Sequence, residues 1–134
     1  MARSTRTKPV TALQARPYLA KAEELLAVAE DCLAAERYIG ATGNSVHAAI
    51  NAADAVCGAR TRQRAAAQGH SEAVDLLGQA GSDGKELARH LARLLPLKTK
   101  AEYEPDQVPP ATAGRAVEAA RRAVQVARRM VPPE

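Results

Sequence analysis

Asn44-Ser45-Val46-His47-Ala48-Ala49-Ile50-Asn51-Ala52-Ala53-Asp54-Ala55-Val56-Cys57 consists almost wholly of small residues, with polar side chains at a few fixed places. Extended back to Ile39, the positions Ile39, Gly43, Val46, Ile50, Ala53 and Cys57 step by four, three, four, three and four. That spacing is the seam of a helix and excludes a strand. Its knobs are small, so a neighbouring helix can approach closely, and a second copy of the chain is one candidate neighbour. His47, Asn51 and Asp54 run beside the seam on the same helix. A polar line at that place lies at a boundary, either hydrogen-bonded within the protein or facing a partner.

The composition agrees with a helical protein. Of 134 residues, 46% are hydrophobic but only 2% aromatic, with no Phe and no Trp. A core of Ala, Leu and Val suits thin, closely packed helices, and Ala, Arg, Glu and Leu are good helix formers. The length fits one domain. We expect a basic, disordered arm over 1–15, a single helical bundle over 16–131 and a frayed tail over 132–134. Cys32 and Cys57 fall on apolar faces and read as reduced thiols in a cytoplasmic protein. Two cysteines cannot complete a zinc site, the histidines lack metal-ligand spacing, and nothing calls for a cofactor. No apolar run reaches membrane-spanning length. The net charge of +4 is compatible with a nucleic-acid partner.

Taken in order, the chain predicts five helices. Pro17 suits the first turn of helix 1, over about 16–35. Helix 2 carries the seam and starts early, at Ile39. The stretch from Gly58 to Gly69 breaks the pattern and is basic through Arg60, Arg62 and Arg64. Helix 3 covers about 70–80. Gly81-Ser82-Asp83-Gly84 reads as a turn, with Asp83 and Glu86 as a capping-box start for helix 4. Pro96 ends or kinks that helix, and Leu97 to Tyr103 can resume it before the loop Glu104 to Pro110. Pro109-Pro110 opens helix 5, over about 110–130. Its inward stripe is Ala113, Ala116 or Val117, Ala120, Val124, Ala127 and Val131. Its outer face carries Arg115, Arg121, Arg122, Arg128 and Arg129. The architecture is all-α, an up-and-down bundle of four main helices plus a short one.

Arg64 and His70 are separated by five residues. A histidine near neutral pKa can take a proton from a ribose 2′-OH or return one to the leaving oxygen. An arginine can hold the phosphate and the charge that develops on it. The structural alternative makes His70 a helix cap and leaves Arg64 solvated. His47, with Asn51 and Asp54, reads either as an acid-oriented proton-transfer group or as a network tying helix 2 to a neighbour. Tyr103 can anchor a helix end while offering its hydroxyl at the surface. His90 belongs on the bundle's shoulder. The helix 5 arginines can meet phosphate, but no aromatic residues are interleaved for base stacking.

Three segments together resemble the HEPN family of small helical bundles. They are Val46–Ala55, Gly69–Leu77, and Leu94-Leu95 through Lys98 to Ala101-Glu102-Tyr103. The resemblance spans about Tyr18 to Val131. It implies a homodimer, and for many members a metal-independent RNase or a toxin held by an antitoxin or a nucleotidyltransferase-like partner. The family's active motif is an Arg, four to six residues, then a His, joined across two protomers. Arg64 and His70 match it, although Ala65 stands where active members often carry a polar residue. Members without the motif serve as modules that bind a protein or a nucleotide. Two readings are therefore carried forward: an endoribonuclease using Arg64 and His70, and a non-catalytic binding module.

Overall fold

A computed structural model describes the backbone of residues 7–9, 12–60, 63–65, 71–103 and 107–132, and the side chains of 14–60, 73–101 and 107–132. The elements run β1 (Thr7–Pro9), α1 (Ala12–Ala34), α2 (Tyr38–Arg60), β2 (Gln63–Ala65), α3 (Ser71–Leu77), α4 (Gly81–Tyr103) and α5 (Pro110–Met130). The fold is the all-α bundle expected. One feature is added to it, a short antiparallel ladder that pairs β1 with β2.

The Ala-rich helix α2 is the axis of the bundle and packs against all four other helices. Every residue from Ala48 to Gly58 on it is buried. Val46, Ala49, Ala53 and Val56 are fully enclosed and Ile50 and Cys57 nearly so. The small-residue seam therefore contacts helices of its own chain. That excludes Ala53 and its neighbours from a dimer face. Ile39, read as the first seam position, is instead 48% exposed.

Cross-helix ion pairs fix the relative directions. Glu30 meets Arg121 at 2.9 Å and Glu23 meets Arg128 at 3.4 Å, so α1 and α5 are antiparallel. Asp83 and Glu86, at the start of α4, both accept from Arg129 near the end of α5, at 3.4 and 3.1 Å. Helices α4 and α5 are therefore antiparallel as well. The three-residue turn between α1 and α2 closes with Arg37 N donating to Cys32 O and Glu36 N to Leu33 O, with Glu36 in the left-handed region at φ 61. This is a Schellman arrangement on a residue other than glycine.

Several boundaries differ from the sequence reading. Helix α1 begins at Ala12, so Pro17 lies inside it. Burial of Ala15, and a 2.9 Å hydrogen bond from Arg16 Nη1 to the Pro132 carbonyl, reward the extra turn. Within the stretch read as an arm, Thr7–Pro9 form β1 and Ala12–Ala15 the first turn of α1. Helix α4 takes in the Gly81–Gly84 segment. Gly81 turns the chain at φ 85, and Gly84 presses against α3, where a Cβ would strike the Leu77 carbonyl and Ala80. Helix α4 also continues through Pro96 to Tyr103. Burial of Leu94 and Ala101 on either side of Pro96 outweighs the one hydrogen bond that its missing N–H removes. Helix α5 has the predicted boundaries, with Pro109 as N-cap, and its predicted inward stripe is buried throughout.

Candidate functional site

Arg64 is the middle residue of β2, directly opposite Lys8 of β1 in the ladder. Strand β2 packs against both α2 and α3. The strand that carries Arg64 and the helix that follows His70 are therefore neighbours on α2. His70 itself, and the side chains of Arg64 and Tyr103, lie outside the described residues. Tyr103 is the last residue of α4.

The polar line of α2 is largely internal. Asn51 and Asp54 are buried and His47 is half-buried. The Asn51 amide donates to the His47 carbonyl at 2.8 Å, an interaction within its own helix. Thr42 Oγ1 and Ser45 Oγ, earlier on the same helix, are buried without a partner among the described residues. The negative charge of Asp54 reaches Cys57. Burial first, and Asp54 second, push the Cys57 thiol up from 9.0 to about 12. At pH 8 that depletes its thiolate about a thousandfold, and the thiolate is the reactive form. An aromatic disulfide reagent is therefore expected to find only Cys32 accessible on the native time scale, and to titrate Cys57 only after denaturant is added. Rapid reaction of both thiols in the folded protein would contradict this placement.

The arginine face of α5 is mostly neutralised. Arg121 pairs with Glu30 and Glu118, Arg122 with Glu118, Arg128 with Glu23, and Arg129 with Asp83 and Glu86. Exposed pairs like these contribute about 0–1 kcal/mol each. Their larger consequence is that phosphate would have to displace a carboxylate to use them. Asp83 and Glu86, expected as a capping box, belong to this set.

Between α4 and α5 lies a cleft of about 640 Å³, lined by His90, Arg93 and Leu94 from α4 and by Arg115, Glu118 and Arg122 from α5. His90 Nδ1 is buried without a partner among the described residues. A smaller cleft of about 400 Å³ sits at the α1–α2 turn beside Tyr38, Ile39 and Val108. No cluster of three His, Cys, Asp or Glu suited to a metal occurs among the described residues. None of the described helices is long and apolar enough to cross a membrane.

A family description, HEPN domain, matches residues 15–131. The chain belongs to the HEPN family. Searches of curated proteins and of solved structures each find no match. The HEPN bundle accounts for the resemblance carried by Val46–Ala55, which forms the buried middle of α2.

The α4–α5 cleft of this HEPN chain had no single motif in the sequence. Arg93 and Arg115 are far apart in the chain, and only the antiparallel packing joins them. His90 was placed on the bundle's shoulder, and its ring lines that cleft. Burial lowers the His90 pKa; Glu86 opposes the shift, and Arg93, Arg122 and Arg89 add to it. The unfolded chain, at about 6.5, then takes up a proton before the folded one does. The associated stability is present above that pH and is lost as pH falls through the lower folded value. The thermal midpoint should therefore drop below pH about 6.5, and less so in His90→Gln. An identical pH profile for the two proteins would remove His90 as the cause.

Proposed function

We propose that this HEPN-family chain is a dimeric, metal-independent endoribonuclease that acts through Arg64 and His70. The observation that carries this reading is the packing of β2 against α3 on the common support of α2. It brings the strand of Arg64 beside the helix that begins one residue after His70. Lys8, in register with Arg64, adds a second cation to the same rung. In the reaction, the His70 imidazole takes the proton of a ribose 2′-OH. The 2′-oxygen attacks phosphorus, the bond to the 5′-oxygen breaks, and that oxygen receives a proton. A 2′,3′-cyclic phosphate and a 5′-hydroxyl result. Arg64 holds the phosphoryl oxygens as charge develops on them. By family resemblance, the motif is brought together from two protomers at the dimer interface, and an antitoxin or nucleotidyltransferase-like partner restrains the activity.

The test is cleavage of mixed-sequence single-stranded RNA by purified protein in EDTA, with Arg64→Ala and His70→Ala in parallel. Cutting that is lost in both variants supports the reading. Cutting that persists in both assigns the activity to another site or to a contaminant.

A second reading, a non-catalytic module that binds a protein partner, is favoured by the exposure of Ile39 beside Tyr38 and Val108. A folded dimer that cuts no RNA points to that reading.

A further inference from the structure

Two groups of arginines on α4 and α5 differ in their partners. Arg121, Arg128 and Arg129 each reach a carboxylate on a neighbouring helix. Arg93 and Arg115 have no ion pair among the described residues, and both line the α4–α5 cleft. Arg122 completes the cluster and shares Glu118, on its own helix, at 3.1 Å. With His90 neutral, three guanidinium charges against the one carboxylate of Glu118 leave the lining at +2. Like charges gathered at a cleft without compensation repel one another, and an anion that enters relieves the repulsion. For Arg121, Arg128 and Arg129 of α5, acids of α1 and α4 supply that compensation.

The rest of the lining limits what the anion is. Leu94 and Ala119 form an apolar wall. At about 640 Å³ the cleft falls in the size range of small-ligand sites. No Phe, Tyr or Trp lines it, so it lacks the large aromatic platforms of single-strand binding grooves. Arginine's planar fork matches a phosphate better than it matches a halide or a point charge.

We propose that the cleft between α4 and α5 is a binding site for a small phosphate ester, with Arg93 and Arg115 on the phosphate and Leu94 and Ala119 against the organic part. The site is separate from Arg64 and His70 and does not depend on the RNase reading.

The experiment is calorimetric titration of the full chain, at fixed ionic strength, with inorganic phosphate, pyrophosphate and ribose 5-phosphate. The parent, Arg93→Gln, Arg115→Gln and the double variant are compared. Arg128→Gln is a control, since Arg128 lies on α5 but outside the cleft. Expected is saturable binding of one ligand per chain, weakened about tenfold or more by each cleft substitution and unchanged in Arg128→Gln. The same binding in His70→Ala protein keeps this outcome distinct from the fate of the RNase reading. Circular dichroism checks that each variant keeps its helices. The proposal is overturned if none of the three probes binds, or if the folded double variant binds as tightly as the parent. It is also overturned if a single-stranded RNA occupies the cleft more tightly than ribose 5-phosphate, with the same dependence on Arg93 and Arg115.

Discussion

His70→Ala should lower RNA cleavage by about 100- to 10,000-fold, the usual contribution of a positioned proton-transfer group. Arg64→Ala should lower it by about 100- to 1,000-fold, the loss seen when one stabiliser of developing transition-state charge is removed. Both variants should keep the parent's helicity and thermal midpoint. Among the described residues, the buried core is built from α1, α2, α4 and α5 together with Ala73, Leu76 and Leu77 of α3. A sharper version of the experiment mixes the two inactive proteins and lets their subunits exchange. If each site takes its arginine from one protomer and its histidine from the other, the mixed dimer holds one intact site and activity returns. If both residues of a site come from one chain, each site of the mixed dimer lacks one of them, and no activity returns. The exchange therefore reports the composite geometry as well as the chemistry.

The second large effect is on stability. Ala53→Leu should destabilise the fold by about 1–3 kcal/mol, or more if the helices cannot part. Ala53 is fully enclosed, and so are Ala48, Ala49, Ala52 and Ala55 on the same helix. With α1, α3, α4 and α5 all packed on α2, the added carbons have no free side to enter. Accommodating them means displacing a helix or forcing strained rotamers. A chain of this size should lose about 3–5 °C in thermal midpoint per kcal/mol. The change should appear in urea unfolding of the monomer or dimer alike, because the seam is internal. An Ala53→Leu protein with native stability would mean that α2 is not the enclosed axis of the bundle.

Some of this molecule could be read directly from the residues. The steps of three and four through Val46, Ile50, Ala53 and Cys57 encode a helix locally, and the small size of those residues encodes its close enclosure. The Pro109-Pro110 start and the inward stripe of α5 were legible for the same reason, since capping and periodicity depend only on residues within a few turns. Proline and capping signals failed where packing outweighed them. Pro17 and Pro96 each remove one hydrogen bond, and burial of Ala15, Leu94 and Ala101 around them contributes more. Asp83 and Glu86 have the spacing of a capping box, yet both turn to Arg129, 46 and 43 residues away in the chain.

The sequence by itself determined that this is an all-α bundle of the HEPN family, because helical periodicity and small-residue patterning are local and repeat along the chain. Only the tertiary structure decided which charges are neutralised and which are left to face a cleft. That depends on the direction and rotation of α4 and α5 relative to each other, which the packing of both helices on α2 sets. Arg121 and Arg115 are alike on the page of the sequence; one meets Glu30 across a helix interface, and the other opens onto the cleft beside His90 and Arg93.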